Sequence, residues 1–405
     1  MRSFSFFTIF ILCLVLLSVD AVSFYWLQSI TRLINYPVLK TVINILFWVF
    51  SCGLISSILI LKIRMDDINP QRKHLLATSL FGITVASFIP KLIFIIVISV
   101  LYFANHIFSE RESLIVIPIA GLFSGLMPFT VILYSIFRSL YRFKVHHVTI
   151  NSNKLSESTH KITVVQISDM HLGSFNFRYH ILDRAIALIN QLEPDFILFT
   201  GDIVNNHAWE LKGWDTILSK LEAKRGKYAV LGNHDYGDYS VWKSPKDKKK
   251  NLELIRHFYK KIGFRLLMNE SEILKFNGDA LAIIGVENWG MPPFKKYGNL
   301  KKAMATTDHA DFKILLSHDP SHWEEEVLKH TDIDLTLSGH THGMQAGINF
   351  KNKMWSPIKF KYKYWLGLYQ IDKQYLYVNR GLGWLGFPGR LGMRPEITCI
   401  ELKNS

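Results

Sequence analysis

The stretch Lys161–His171, KITVVQISDMH, decides the fold of the second half of the chain. Its first seven residues are rich in β-branched side chains and predict a buried strand, which stops at a polar Ser-Asp-Met-His. Apolar runs end at polar residues in the same way at Thr200-Gly201-Asp202, Gly232-Asn233-His234-Asp235, Ser317-His318 and Gly339-His340-Thr341-His342. This recurrence predicts a set of polar loops at the ends of neighbouring strands.

Helical and strand-like patterns alternate around these motifs. Apolar residues at helical spacing predict helices over Arg178–Leu192, Trp214–Leu221 and Leu252–Ile262. Further strands are predicted over Phe196–Phe199, Lys227–Leu231, Arg265–Met268, Ser271–Phe276, Leu281–Val286, Phe312–Leu316, Leu335–Leu337, Gln374–Val378 and Ile397–Leu402. The early order β-α-β-α-β predicts an α/β fold, in which ligands bind beyond the carboxyl ends of strands. We interpret Lys243–Lys250, KSPKDKKK, as a charged loop.

The front of the chain has a different composition. Four charge-poor runs, at about 4–27, 41–61, 75–108 and 113–137, reach the roughly 20 residues that a membrane-spanning helix needs. We therefore predict a transmembrane region over residues 1–145, a linker over 146–160 and a globular domain over 161–405. Lys91 lies inside the third run and should face other helices or snorkel. The first run is also compatible with a cleaved signal peptide.

The distribution of Lys and Arg predicts the orientation in the membrane. With four spans, one side carries eight of these residues and the other three, a bias that places both termini in the cytoplasm. The richer side has Arg2, Lys62, Arg64, Arg72, Lys73, Arg138, Arg142 and Lys144, and the poorer side has Arg32, Lys40 and Arg111. Two short helices around Pro90 would give five spans and change this prediction. We expect a multi-pass protein of the inner or plasma membrane.

The charge balance limits the classes of partner. Lys and Arg total 47 against 33 Asp and Glu, giving a net charge of +14 that suits anionic lipids or phosphorylated substrates. We see no compact basic recognition helix and expect no nucleic acid partner. The three cysteines, Cys13, Cys52 and Cys399, form neither a disulfide framework nor a CxxC metal site. The sequence does not predict an oligomeric state.

The polar motifs contain oxygen and nitrogen donors without thiolates. Such donors suit Mn, Fe, Zn or Co, and paired metals of this kind hydrolyse phosphorus esters with activated water. Asp169 and His171 alternate just past a strand and can turn toward one point. Gly339 and Gly343 permit the tight backbone that the intervening histidines need. A lone histidine such as His318 is usually a surface residue, and only the ordered set makes it a candidate ligand.

In this order, the motifs resemble those of the calcineurin-like metallophosphoesterase superfamily over roughly residues 160–403. Asn379-Arg380-Gly381-Leu382-Gly383 and Arg394-Pro395-Glu396-Ile397 narrow the resemblance to a branch whose members often carry N-terminal transmembrane helices. The resemblance implies a four-layer α/β/β/α sandwich preceded by a helical transmembrane bundle. Met344 and Asn205 depart from the residues common in relatives, which puts substrate choice in doubt more than activity.

The resemblance also implies a role for each site residue. Two divalent metal ions, with Mn favoured, would share Asp202 as a bridge. One ion would be completed by Asp169, His171 and His342, and the other by Asn233, His318 and His340. His234 resembles the catalytic histidine, with Asp235 as its orienting partner or as a turn residue. We also name His207 and Glu287 as substrate contacts, although a solvated loop is the commoner setting for such a histidine.

Soluble relatives of this branch resemble UDP-2,3-diacylglucosamine hydrolases of lipid A biosynthesis. The implied function is hydrolysis of a phosphodiester or pyrophosphate bond in a lipid-linked substrate, with membrane lipids as further partners. One alternative is a phosphodiesterase for soluble nucleotides. Another is a membrane scaffold or sensor whose phosphoesterase domain only binds ligand.

Aromatic and basic residues are interleaved over Lys351–Trp365, and Trp384, Phe387 and Arg390 follow in the tail. Such residues are common at membrane interfaces, so these loops could face the bilayer and admit a lipid substrate. The equal alternative is a lid that packs against its own domain.

Overall fold

A computed structural model describes residues 5–65, 67–109, 113–157, 161–176, 178–276, 278–351 and 353–405. The chain forms two compact units. One contains the N-terminal helices through Phe137 together with Gly386–Gly389, and the other contains Arg138–Leu385 and Arg390–Ser405. Phe4, at the start of the first predicted span, and Arg2 and Arg111, which entered the orientation count, lie outside the described residues.

Four apolar helices make up the N-terminal unit, as predicted. They are α1 (Phe6–Thr31), α2 (Pro37–Ile63), α3 (Pro70–Phe108) and α4 (Val116–Phe137). The shortest has 22 residues, which at about 1.5 Å per residue spans the roughly 30 Å of a bilayer core. Pro37 and Pro70 occupy first-turn positions, where a missing N–H costs nothing. Helix α3 runs through Pro90 without a break, so the alternative with two short helices is not what the structure contains.

One ion pair links helices α1 and α3 inside this unit. Lys91 Nζ lies 2.6 Å from Asp20 Oδ1, and only 6% of Asp20 is exposed. The ammonium also lies 4.8 Å from the ring centre of Phe47 and 5.5 Å from that of Phe50. Aromatic faces attract a cation, which adds to the ion pair. The prediction that Lys91 faces other helices is therefore confirmed.

The second unit is built on fourteen strands within the described part of the chain. They are β1 (Lys144–Asn151), β2 (Ile162–Ile167), β3 (Phe196–Phe199), β4 (Gly226–Ala229), β5 (Arg265–Leu266), β6 (Glu270–Phe276), β7 (Asp279–Gly285), β8 (Phe312–Leu316), β9 (Leu335–Ser338), β10 (Ile348–Phe350), β11 (Lys353–Trp355), β12 (Gly367–Ile371), β13 (Gln374–Val378) and β14 (Glu396–Lys403). The helices of this unit are α5 (His180–Asn190), α6 (Asp215–Leu218), α7 (Pro245–Lys261) and α8 (Leu300–Ala303).

These strands form two six-stranded sheets and one hairpin. The first sheet has the order β1-β14-β2-β3-β4-β5 and the second the order β12-β13-β9-β8-β7-β6. Strands β2 to β5 run parallel, as do β7, β8, β9 and β13, while β14, β6 and β12 pair antiparallel to their inner neighbours. The parallel centres of both sheets therefore have well-defined carboxyl ends.

Alternating side chains of these strands supply three separate apolar cores. Val165 of β2 packs in a cluster with residues of α5 and α7, whereas its neighbour Val164 packs in a cluster shared by the two sheets. In the second sheet, Ile283 joins the shared cluster and Ile284 joins an outer cluster around Trp323. Because successive strand residues point to opposite faces, three cores require four layers. The predicted α/β/β/α sandwich is confirmed.

Two local predictions need correction. The segment 146–160, predicted as a linker, begins inside strand β1, which pairs in parallel with β14 along its whole length. Only Ile150 of this edge strand is buried, so its sequence lacks a clear alternation. The charged loop predicted over Lys243–Lys250 instead starts helix α7, where Ser244 Oγ accepts the Asp247 backbone N–H. Serine followed by proline is a helix-start signal that outweighs the lysine run.

The ion pair within the helices gives the first testable prediction. Lys91→Met leaves a buried carboxylate without its cation, and losing one partner of a buried pair costs about 3–5 kcal/mol in proteins. We expect the thermal midpoint of the detergent-solubilised full chain to fall by several degrees. The double variant Asp20→Asn/Lys91→Met should recover part of this loss. An unchanged midpoint in the single variant would show that the pair does not stabilise the bundle.

Candidate metal centre

The seven residues predicted as metal ligands lie on loops at the carboxyl ends of five parallel strands. Asp169 and His171 follow β2, Asp202 follows β3, Asn233 follows β4, His318 follows β8, and His340 and His342 follow β9. All are buried except His340, which is partly exposed. Because β2, β3 and β4 are neighbours in one sheet and β8 and β9 in the other, the two sheet edges bring all seven side chains together.

The first group of donors consists of Asp169, His171 and His342. Their ligand atoms lie within 4.8 Å of one another. His342 Nε2 is 3.2 Å from Asp169 Oδ1 and 3.1 Å from His171 Nε2. Two imidazoles and one carboxylate converging in a buried space form a donor set suited to a divalent cation.

The second group consists of Asn233, His318 and His340. Asn233 Oδ1 lies 3.1 Å from His318 Nε2 and 2.8 Å from His340 Nδ1. The two imidazole nitrogens are 3.3 Å apart. One amide oxygen and two imidazoles therefore face a common point, and their role as the second ligand set stays a prediction.

Asp202 lies between the two groups. Its Oδ2 is 3.6 Å from His171 Nε2 in the first group and 3.1 Å from His318 Nε2 in the second. Its Oδ1 accepts the backbone N–H of His234 at 2.8 Å. One oxygen is thus fixed by the protein, while the other is shared by both donor sets, which is the position that a bridging carboxylate needs.

The outer atoms of the second group are held by oxygen atoms of the protein. His318 Nδ1 donates to the Thr200 carbonyl at 2.7 Å, and Asn233 Nδ2 donates to the Tyr239 hydroxyl at 2.8 Å. His340 Nε2 lies 2.8 Å from the Tyr362 hydroxyl. Such contacts fix the orientation and tautomer of metal-binding side chains. Tyr239 and Tyr362 escaped the sequence analysis because no local motif connects them to the residues they contact.

The backbone of the site is strained in a consistent way. Five of the seven candidate ligands have positive φ, at 48° for Asp169, 46° for His171, 61° for Asp202, 71° for His340 and 50° for His342. Non-glycine residues rarely adopt this left-handed region, and each such residue has an energetic cost of about 1–3 kcal/mol. The rigid sheet edges maintain these conformations, which direct several side chains from short loops toward one volume.

Two glycines allow the loops to approach closely. A Cβ on Gly232 would overlap the carboxylate of Asp202, and one on Gly339 would overlap Ser168 and the carboxylate of Asp169. Any side chain at either position would displace a candidate ligand. The requirement for glycine in these two motifs is therefore steric.

The charge state of the site suits cations. Burial alone would raise the pKa of the Asp169 and Asp202 carboxyls, but His342 and His318 respectively outweigh it, and both pKa values are lowered. Burial lowers the pKa of His171 far below its usual value and that of His340 to about 4. Burial would lower the pKa of His318 as well, but the Asp202 carboxylate raises it to about 10, so without a cation a proton on His318 balances this carboxylate. Metal ions would replace that proton and supply positive charge to deprotonated ligands of this type. The residues present therefore fit a pair of divalent cations.

His234 is oriented by backbone rather than by Asp235. Its Nδ1 lies 2.7 Å from the Asn205 carbonyl, which can only accept, so Nδ1 carries the proton and Nε2 remains for the site. Burial lowers the pKa of this imidazole. The Asp235 carboxylate instead accepts backbone N–H groups of Asp202, Ile203 and Gly232, each at 3.0 Å. Asp235 thus holds the Asp202 loop in place, the structural alternative considered from the sequence.

The two residues named as substrate contacts have other partners. His207 Nε2 bonds to Ser240 Oγ at 2.9 Å, and its ring stacks on Trp209. The Glu287 carboxylate accepts from Tyr236 at 3.0 Å and from Asn269 at 2.6 Å. These contacts give both side chains a structural use, and their substrate roles stay predictions.

The three tail residues considered as interfacial, Trp384, Phe387 and Arg390, have different surroundings in the structure. Trp384 is buried, and its ring packs 4.5 Å from Phe175, while Arg390 is fully buried and donates to the carbonyl of Gly383. Both therefore follow the alternative of packing against their own domain. Phe387 belongs to the helical unit and packs on Phe81 of α3.

Comparison with known proteins agrees with this geometry. The family described as "Calcineurin-like phosphoesterase" matches residues 162–344. A second family, described as "Probable Calcineurin-like phosphoesterase, transmembrane domain", matches residues 1–140. The two matches correspond to the globular and helical parts of the chain.

Several curated relatives match about three-fifths of the chain. YkuE of Bacillus subtilis, an uncharacterized metallophosphoesterase, is 34% identical over 64% of this chain and 84% of its own length. The phosphodiesterase YaeI of Escherichia coli is 28% identical over 59% of this chain and 81% of its own length. The transmembrane protein with metallophosphoesterase domain of Danio rerio is 29% identical over 65% of this chain and 58% of its own length.

These matches confirm the resemblance predicted from the ordered motifs. They also account for the joining of four apolar helices to an α/β/β/α sandwich in one chain. The chain belongs to the calcineurin-like phosphoesterase family and is a membrane protein with a metallophosphoesterase domain.

Proposed function

We propose that this protein is a phosphodiesterase that uses two divalent metal ions to hydrolyse a phosphodiester or pyrophosphate bond. One observation carries the proposal: Asp202 Oδ2 lies within 3.6 Å of an imidazole nitrogen of each donor set. Asp169, His171 and His342 would hold one ion and Asn233, His318 and His340 the other. When bound, such ions activate a water molecule and stabilise negative charge on the phosphoryl group.

The chain itself contributes position and proton handling. Asp202 fixes the separation of the two donor sets, and Asp235 fixes the backbone of the loop that carries Asp202. His234 is held through Nδ1 by the Asn205 carbonyl, which leaves Nε2 to exchange a proton or hydrogen-bond with a substrate oxygen. The buried setting of these groups strengthens each electrostatic contact with the reacting phosphate.

The finer choice of substrate is a hypothesis. A lipid-linked substrate such as UDP-2,3-diacylglucosamine follows from the sequence resemblance alone. The name of the relative YaeI, a phosphodiesterase, supports the diester bond class without naming a substrate. A soluble nucleotide diester is the alternative. The donor atoms suit Mn, Fe, Zn or Co, and Mn is our first choice for the assay.

We also propose that the metallophosphoesterase domain faces the cytoplasm. The bias of Lys and Arg toward the N-terminal side of a four-span bundle supports this orientation, since positive loops remain inside. A C-terminal fusion to a reporter that is active only in the cytoplasm should be active, and a fusion to a phosphatase that is active only outside should be silent. The reverse pattern would overturn the orientation.

The bridging role of Asp202 is tested by Asp202→Asn. Asparagine retains an oxygen that can accept the His234 N–H but removes the shared charge. We expect bound metal to fall from about two ions per chain, and metal-dependent hydrolysis to fall at least about 100-fold. Asp372→Asn, in an exposed turn with φ of 52°, is the matched control and should behave like the parent.

The assay uses detergent-purified full-length protein with Mn, Mg, Zn or no added metal. Its substrates are UDP-2,3-diacylglucosamine, a generic aryl phosphodiester and an aryl monoester. Cleavage of the generic diester alone would retain the enzyme class and reject the lipid nucleotide. If Asp202→Asn kept both its metal and its activity, the bridging assignment would be wrong.

The role of His234 is tested by His234→Gln. Loss of a group that exchanges protons with the substrate lowers kcat by about 10²–10⁴-fold. Bound metal should not change, because the His234 ring bonds to the Asn205 carbonyl and lies outside both donor sets. His257→Gln, on the exposed face of α7, is the control. A parallel loss of metal would show that His234 acts as a ligand.

A further inference from the structure

We propose that the segment Met344–Leu366, here called the lysine-aromatic segment, binds the surface of an anionic lipid bilayer. This segment contains none of the candidate metal ligands, and its binding requires no catalysis. The occupant to which we commit is a lipid headgroup layer, in which apolar side chains reach the acyl boundary while lysines contact phosphates.

Exposed apolar side chains of the globular unit are concentrated in this segment. Among the described residues after Phe137, ten large apolar side chains are exposed, and five of these belong to the segment. They are Met344 (55%), Ile348 (64%), Phe350 (69%), Trp355 (43%) and Phe360 (80%). The segment supplies only 23 of the unit's residues, so this density marks an interaction surface.

The hairpin places three of these side chains on one face. Ile348 of β10 pairs opposite Trp355 of β11, and Phe350 lies two residues beyond Ile348 on the same strand. Cross-strand partners and residues two apart share a face of a ribbon. Ile348, Phe350 and Trp355 therefore share one exposed face of the hairpin with Lys353, which pairs opposite Phe350.

The charge of the segment is entirely positive. It contains five lysines, and no Asp or Glu occurs between Met344 and Ile371. All five are exposed between the aromatic residues, and one of them, Lys363, pairs with Glu324 outside the segment, which leaves Lys351, Lys353, Lys359 and Lys361. Lys351 Nζ lies 5.6 Å from the Phe350 ring centre, and Lys359 Nζ lies 5.4 Å from that of Phe360. Cations beside exposed rings suit a lipid interface, where lysines contact headgroup phosphates and aromatic rings lie at the boundary with the acyl chains.

The base of the segment is anchored to the metal-ligand loop. Tyr362 contacts His340 Nε2 at 2.8 Å, and Thr341 Oγ1 donates to the Trp365 carbonyl at 2.8 Å. Ser356 Oγ donates to the Gly343 carbonyl at 2.9 Å. Exposure at the tip is thus a property of an ordered arm with buried supports. A lipid surface bound by this arm would lie beside the loop that carries His340 and His342.

A bilayer fits this surface better than a protein partner does. The chain contains four helices of membrane-spanning length, so the globular unit is tethered to a bilayer. Tethering of this kind raises the effective concentration of a weakly binding surface. The segment offers lysines and apolar rings without acidic residues, a combination that complements anionic headgroups.

The test places a fluorescent probe at the tip of the arm. Full-length protein, with Cys13, Cys52 and Cys399 changed to alanine, carries Phe360→Cys labelled with an environment-sensitive dye. It is reconstituted in nanodiscs containing phosphatidylglycerol, with or without nitroxide-labelled lipid. Phe360 is 80% exposed, so its replacement removes little packing. The matched control is Ile273→Cys, at an exposed apolar site on β6 flanked by Glu272.

We expect the probe at position 360 to shift to shorter wavelength and to be quenched at least about twofold more than the probe at 273. The added changes Lys353→Gln, Lys359→Gln and Lys361→Gln should reduce this quenching in anionic nanodiscs and have less effect in phosphatidylcholine nanodiscs. Equal quenching at the two positions, with thermal midpoints equal to that of the parent, would overturn the proposal and leave the face to a protein partner. Since the readout is spectroscopic, it is independent of whether the proposed hydrolysis is observed.

Discussion

The buried carboxylate of Asp202 is the constraint on which the rest of the site depends. Its two oxygens have different surroundings: Oδ1 is fixed by the His234 N–H, and Oδ2 faces imidazoles of both donor sets. A charge in this position is costly unless it is compensated. Asp235 holds the loop that carries Asp202. Gly232, which has no side chain, leaves space for the Asp202 carboxylate. The arrangement explains why the site uses two sheets, since neither sheet edge alone supplies both donor sets.

The sheets support a strained site because the first core extends into its loops, where Met170 is buried between Asp169 and His171. Three apolar clusters stabilise the sandwich below the loops, so unfavourable backbone angles at residues such as Asp169 and His340 are distributed over a rigid support. The lysine-aromatic segment is likewise supported by buried residues. Its exposed tip stands on buried Tyr362 and Trp365, which are packed with Met393. Rigid support extends from the core through the metal centre to this candidate lipid surface.

The sequence was sufficient for features that depend on local order along the chain. Strand β13 has the predicted bounds Gln374–Val378, and the strand-end motifs identified all seven residues that converge at the site. Contacts to the site that arise only in the folded structure could not be predicted from the sequence. Tyr362 meets His340 from 22 residues away, and Asn205 orients His234 through a backbone carbonyl that no side-chain motif reveals. Strand β1 was missed because an edge strand with one buried residue has little periodicity to detect.

The pair formed by Asp20 and Lys91 has a consequence for biogenesis. The two residues are 71 positions apart, so Asp20 is synthesised before its partner. The pair between Asp20 and Lys91 can therefore form only after α3 has been synthesised. Helix α1 supplies the counter-ion of Lys91 in α3. Removal of α1 would leave this lysine without its carboxylate partner among apolar side chains. The final packing of α1 against α3 consequently depends on the presence of both helices.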